Sequence, residues 1–407
     1  MKIVFASLFL MCSFFALCAT ASDVLETSVQ ARLQTELSSQ RSKPGEPVQV
    51  TALAPVVLGD NVVIPRGSLI SGQIVAVRQL TERQHRAGIL LRFDQVEFPD
   101  GRKTAIQGRV SDVDNARETV DDDGWIQGEP PFPVKPSKKE GLLLLAAYAH
   151  PLTLAALGCM RLIQREAAHL QISYKPGVDM TIRAAIPADI GYAGKLEQPK
   201  PDDALVQLVQ NLPTRTARYQ DLKEGDFTNI LLIGSLQDIQ AAFANAGWTT
   251  SVSLGVKSGL RSFYATAEEH PYEKGPMAKF LLHDRKQDLV FQKQNDTFAK
   301  RHHIRLWQES VSFNGRPVWI ASSTHDVAIA FSLFGFRHVV DPRIDFERQK
   351  IVEDLVYTGF ATLEGFVERP GVPNISRNAV GDPLRTDGKI AILSLKPPTR
   401  TQIAVRN

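Results

Sequence analysis

From residue 48 onward, apolar and polar residues alternate in short runs broken by Gly and Pro, the period of two expected of strands with one buried face. The runs at 48–52, 62–68, 69–77, 90–96 and 104–110 predict β-segments, with Asp100-Gly101 supplying a hairpin turn between the last two. Pro65-Arg66-Gly67 and Pro176-Gly177 place the same kind of turn between strands, so the segment near 173–180 echoes the earlier one. The pattern changes in the second half. Residues 229–234 form a continuous apolar run read as a buried strand, Ser235 an N-cap, 236–246 a helix closed by Gly247, and 248–254 a returning strand. Residues 279–284 and 288–293 are expected to pair as a hairpin. Further strands are expected at 304–309, 317–321, 327–331, 361–367 and 389–395, with an amphipathic helix at 344–358 and a loop at 370–386. The expected fold class is therefore multidomain: an N-terminal all-β, barrel-like module and a C-terminal α+β domain.

Lys2, the apolar run 3–19 and Ala19-Thr20-Ala21 read as a secretory signal over 1–21, which implies a periplasmic or secreted protein. An extension, 22–47, precedes the β-module at 48–190. That module contains a linker and helical insertion at 125–169; a second linker (191–203), the α+β domain (204–396) and a tail (397–407) follow. The acidic residues Asp112, Asp114, Asp121, Asp122 and Asp123 fit no calcium-loop spacing and read as solvated turn residues. Residues 141–160 carry no formal charge, yet Tyr148, His150, Pro151 and Thr153 interrupt them. A broken helical excursion is expected there, with membrane contact as the alternative.

The surplus of Lys plus Arg (47) over Asp plus Glu (44) is too small across 407 residues for a dedicated nucleic-acid binder. Of three cysteines, Cys12 and Cys18 fall in the signal, leaving Cys159 and excluding an intramolecular disulfide in the mature chain. No Walker loop, Cys-x-x-Cys or nucleophile elbow is present.

The β-segments and their Pro-Gly turns resemble small β-barrel modules of bacterial envelope and secretion-system proteins, such as the C-terminal part of conjugation-channel proteins. Further along, Arg301-His302-His303-Ile304-Arg305-Leu306-Trp307, Val318-Trp319-Ile320-Ala321 and Asp341-Pro342-Arg343-Ile344-Asp345-Phe346-Glu347-Arg348, with 229–234 and Ala246-Gly247-Trp248, resemble the LssY-like C-terminal domain over roughly 200–396. The resemblance implies a membrane-associated or secretion-associated context and no particular reaction. In place of the small-residue turn common after that tryptophan, this chain has Ala321-Ser322-Ser323-Thr324-His325-Asp326.

Strand alternation puts His303, Arg305 and Trp307 on one face and His302, Ile304 and Leu306 on the other. The first set, with Arg348, is the expected ligand site, presented outward from one sheet surface, since imidazole, guanidinium and indole suit an anionic group beside an apolar surface; the competing structural reading has Trp307 capping the core edge and Arg305 paired with a carboxylate on the following helix. Six of the nine histidines fall between His270 and His338, and residues 257–305 hold ten Lys/Arg against six Asp/Glu, a local basic bias. For catalysis the candidates are His303 as base with Asp341 or Asp345 to orient it. No cofactor is expected; a divalent metal on His302, His338 and Asp341 is the competing reading. Asp345 and Arg348 also read as an i, i+3 pair at a helix start. The expected function is an exported, envelope-associated protein whose C-terminal domain binds an envelope protein, an anionic small molecule or a lipid headgroup. The alternatives are a hydrolase of a phosphorylated or lipid-linked substrate and a structural assembly component.

Overall fold

The computed structural model describes residues 24–79, 86–114, 116, 118–128, 171–188, 190–191, 193–196, 198–250, 279–293, 300–332 and 335–397; of residues 328–332 and 335–337 only the backbone is described. The expected signal, the stretch 141–160, Cys159 and His270 lie outside these residues.

Six long strands build the N-terminal unit: β1 (Val24–Leu33), β2 (Pro47–Ala52), β3 (Leu69–Arg78), β4 (Gly88–Glu97), β5 (Lys103–Val113) and β6 (Asp179–Pro187). They pair antiparallel in the order β3-β2-β1-β6-β5-β4, and β3 also pairs with β4, so the order returns on itself. One face of each strand feeds a single core that includes Val29, Val50, Ile70, Leu91, Val110 and Ile182. Strand β1 lies inside the stretch read as an extension. Its sequence alternates as the others do, and its nine-residue register with β6 makes it a central strand.

The C-terminal unit is mostly β, which corrects the α+β expectation: among the described residues it carries three helices against many strands. These are α1 (Asp203–Gln210), α2 (Leu236–Asn245) and α3 (Ile344–Tyr357). The main sheet contains β7 (Ile230–Ile233), β8 (Trp248–Thr250), β9 (Leu289–Lys293), β10 (Arg301–Phe313), β11 (Arg316–Ser332), β12 (Gly335–Val340), β13 (Ala361–Glu368) and β14 (Lys389–Leu395). Its order is β8-β9-β10-β11-β7-β14-β13, with β12 paired to β11. Helices α2 and α3 pack on one face through Phe243, Ile351 and Leu355, against Ile304, Leu306 and Trp319. On the other face Leu205 and Val209 of α1 meet Leu231, Trp307 and Ile320. A small sheet of Glu224–Phe227, Arg215–Arg218, Phe280–Leu282 and Arg285–Lys286 contributes Phe280 and Leu282 to that second core.

Ser235 caps α2 as expected: its hydroxyl accepts from Asp238 N at 3.1 Å while Asp238 Oδ2 accepts from Ser235 N at 2.9 Å. Two local expectations fail. The strand near 280 turns at His283 and Asp284, both in the left-handed region, and pairs with Arg285–Lys286, whereas Leu289–Lys293 joins β10 in the main sheet. The separate strands expected at 317–321 and 327–331 are one 17-residue strand, β11, because the polar residues between them find cross-strand partners on β10.

Candidate functional site at the seam of the two units

The site begins with a cross-strand pair. His302 on β10 lies opposite His325 on β11, on the face that carries Ile304 and Leu306, and the two rings stack at 4.0 Å and 18°. His302 Nδ1 donates to Glu347 Oε2 of α3 at 2.6 Å, and Nε2 donates to Asp114 Oδ1, just past β5, at 2.8 Å. Burial disfavours charge on His302, but Asp114 and Glu347 outweigh it and raise its pKa to about 10, so the ring is an imidazolium. Burial, reinforced by that neighbouring charge, pushes His325 down to about 2 and keeps it neutral.

Helix periodicity carries the pairing on. Glu347, Lys350 and Asp354 share one side of α3, spaced i, i+3, i+7. Lys350 Nζ reaches Asp114 Oδ2 at 2.9 Å and Asp179 Oδ2 at 2.8 Å. Arg32 of β1 grips Asp179 through two bonds of 2.7 and 3.0 Å and Asp354 Oδ1 through a third of 2.7 Å. Asp354 also accepts from Trp248 Nε1 at 2.9 Å and from Lys293. Four carboxylates (Asp114, Asp179, Glu347, Asp354) thus interleave with four cations (Arg32, Lys293, His302, Lys350). A lone charge in so buried a place costs several kcal/mol, roughly, unless paired. Burial opposes ionisation of Asp114 and Asp179; their cations overcome it and hold both below the usual carboxylate range. Against the same desolvation, Asp114 and Asp179 raise Lys350 well above its ordinary value.

Beside this network a cavity of about 400 Å³ opens between the units. Gln30, Asp112, Asp114 and Thr181 line it from the N-terminal side, and His302, His325 and the 341–354 segment from the other. Six carboxylates (Asp112, Asp114, Asp341, Glu347, Glu353, Asp354) stand on its wall against Arg343, Lys350 and His302. Asp112 and Glu353 sit above the usual carboxylate range. Loss of solvent is the main cause in both: for Asp112 the like charge of Asp114 adds to it more than Lys300 relieves, whereas for Glu353 the Gln349 hydrogen bond and Lys350 oppose it more than Asp354 adds. Glu347 Oε1 is buried without a hydrogen-bond partner.

His303, Arg305 and Trp307 do share the opposite face, but it is not bare. The three are 3%, 4% and 0% exposed and do not line the cavity, so the solvent-facing presentation expected of them is absent. The small sheet and α1 cover that face, which local alternation cannot foretell. Arg305 lies 3.8 Å from Asp226 and over the Phe280 ring at 4.6 Å; Trp307 Nε1 donates to Arg285 O at 3.2 Å. His303 Nε2 sits 3.1 Å from Asp326 Oδ1, with Thr324 Oγ1 at 3.2 Å from Nδ1. Arg301 and His338 also converge on Asp326, at 3.0 and 3.7 Å. Arg348 is buried and paired with Asp345 (3.2 Å) and Asp387 (2.7 Å), while Asp345 accepts from Thr386 and Asp387 N, so both fasten α3 to the loop before β14. Asp341 lines the cavity and accepts from Arg343 N at 2.8 Å, shaping the start of α3.

The grouping that sequence reasoning missed is Asp114, His302 and His325, whose ligand-type atoms all lie within 4.8 Å of one another. Asp114 was visible in the acidic stretch and His325 in the departure after Trp319. Neither carried a signal of proximity, since one comes from another unit and the other from the far strand of a hairpin. Residues 209–390, from the end of α1 into β14, match the family described as LssY C-terminus, so the C-terminal unit is LssY-like. No curated protein matches the chain.

Proposed function

We propose that the protein is an exported, envelope-associated binding protein whose ligand enters the seam between the N-terminal unit and the LssY-like unit. The observation that carries this reading is the cavity itself: its volume, about 400 Å³, falls in the range of small-molecule sites, and both units build its wall. The buried ion pairs beside it hold that wall in one geometry. In this reading the closed strand order of the N-terminal unit makes it a barrel-like adaptor of the secretion or conjugation type.

The wall chemistry favours a small ligand bearing a cationic group. Asp112 and Glu353 are carboxylates that loss of solvent holds above their usual range, and a ligand ammonium beside them would offset that cost of ionisation. An anionic ligand has less support, because the His303, Arg305 and Trp307 set that suggested one is covered. Hydrolysis of a phosphorylated or lipid-linked substrate stands as a second reading, favoured by one observation: two imidazoles and a carboxylate meet on the cavity wall. The test is equilibrium dialysis of the full chain with putrescine and, separately, inorganic phosphate. Saturable putrescine uptake that Asp112→Asn and Glu353→Gln weaken supports the reading; uptake of phosphate alone, or of neither, defeats it.

A further inference from the structure

We infer that Asp114, His302 and His325 form a divalent-metal site, best suited to Zn²⁺, on the wall of the seam cavity. The inference rests on the reading above only in taking that cavity as the functional site. Its first support is proximity: one carboxylate oxygen and two imidazole nitrogens lie within 4.8 Å of one another, a donor set of the kind zinc prefers.

The second support is independent of proximity. His302 Nδ1 donates to Glu347 Oε2 at 2.6 Å, fixing the ring orientation and directing Nε2 toward Asp114. A histidine that ligates a metal through one nitrogen almost always donates the other N–H to a carboxylate or carbonyl, and this is that arrangement. Glu347 is therefore a positioning residue. The ion takes the place of the proton now lying between His302 Nε2 and Asp114 Oδ1, 2.8 Å apart. Two metal–ligand bonds of about 2.0–2.1 Å span that gap with a modest opening. The third support is the cavity, whose volume leaves room for water or a ligand group at a remaining coordination position. The stacked rings, nearly parallel at 18°, must splay for His325 to meet the ion in its own ring plane, so uptake rotates His325.

The experiment titrates Zn²⁺ into the purified full chain, with bound metal measured after dialysis and X-ray absorption recorded on the zinc-loaded wild type. Uptake of about one equivalent and a shell containing two imidazoles and oxygen are expected. Asp114→Asn and His325→Gln should abolish uptake while melting as folded proteins, and Glu347→Gln should weaken it roughly 10–100-fold at unchanged stoichiometry. A shell lacking imidazole or containing sulfur, or no saturable uptake, overturns the site; so does wild-type affinity in folded Asp114→Asn and His325→Gln. The absorption spectrum decides the matter on the wild type even where a variant does not fold. Putrescine uptake without zinc uptake would overturn the metal site and leave the cavity reading standing; zinc uptake without putrescine uptake would do the reverse for the cationic ligand.

Discussion

Arg32 of β1 donates to Asp354 of α3 at 2.7 Å across 322 positions of sequence, tying the first strand of the N-terminal unit to the last helix of the C-terminal one. The same guanidinium holds Asp179, so one side chain compensates two buried carboxylates. Arg32→Met should destabilise the folded chain by about 3–5 kcal/mol, the cost of leaving buried partners unpaired. Urea unfolding measures this. A loss below about 1 kcal/mol, typical of exposed pairs, would mean that the seam is wetter than the structure shows.

Covered residues and cavity residues should separate in experiment. Trp307→Ala removes a fully buried indole and should cost about 3–5 kcal/mol. Arg305→Met leaves Asp226 without its nearest cation and should cost about 3 kcal/mol or more. In variants that remain folded, putrescine and zinc affinities should match wild type. A folded Arg305→Met chain that loses either ligand would return the site to the His303 face.

His338 sets a pH dependence. Burial, with the adjacent Arg301 charge, lowers its pKa from 6.5 to about 4, against a weaker opposing pull from Asp326; His303 acts in the same direction as Arg301. Between those values the unfolded chain takes up a proton that the folded chain refuses, so stability must fall as pH falls from about 6.5 toward 4. The contribution of this one group approaches about 3 kcal/mol over the window, from about 1.4 kcal/mol per pH unit. Urea midpoints at pH 7 and pH 4.5 should converge in His338→Gln relative to wild type; an unchanged gap would assign the acid sensitivity elsewhere.

At Gly72 the pairing of β3 with β4 leaves no room for a side chain. A Cβ at Gly72 would stand 2.0 Å from Arg92 O, where β3 and β4 shift register against each other. Gly72→Ala should therefore loosen the β3–β4 pairing, seen as faster amide exchange in both strands. Gly45→Ala meets no atom within 4 Å, but its positive φ makes it a control for backbone strain without steric contact. Equal exchange in the two variants would show that contact with Arg92 is not what matters.

A smaller effect tests the part of the fold read most directly. Ser235→Ala removes the hydroxyl that caps α2 and should cost about 1 kcal/mol. A cost near zero would mean that packing of Ile239 and Phe243 alone fixes the start of the helix.

Local chemistry accounts for what was legible. The N-cap at Ser235, the turn glycines at positive φ and the period of two in 48–110 act within a few residues, and the helix at 236–245 and most of the strands they imply are present. The separation of His302 from His303 was legible for the same reason. The class of the C-terminal unit was misjudged because helical segments are conspicuous in a sequence while short strands such as Arg215–Arg218 and Arg285–Lys286 carry almost no pattern.

The sequence by itself determined which side chains share a face, the start of α2 at Ser235 and most of the strand-forming runs, since backbone geometry and hydrophobic period act between neighbours. Only the tertiary structure decided which face is covered and which meets a cavity. That outcome depends on a small sheet sealing Arg305 and Trp307, and on Asp114 and Asp179 arriving from another unit to pair with His302 and Lys350. Burial and charge compensation are sums over everything within a few ångströms, and two of the pairings at this site, Asp114 with His302 and Asp179 with Lys350, join residues more than a hundred positions apart along the chain.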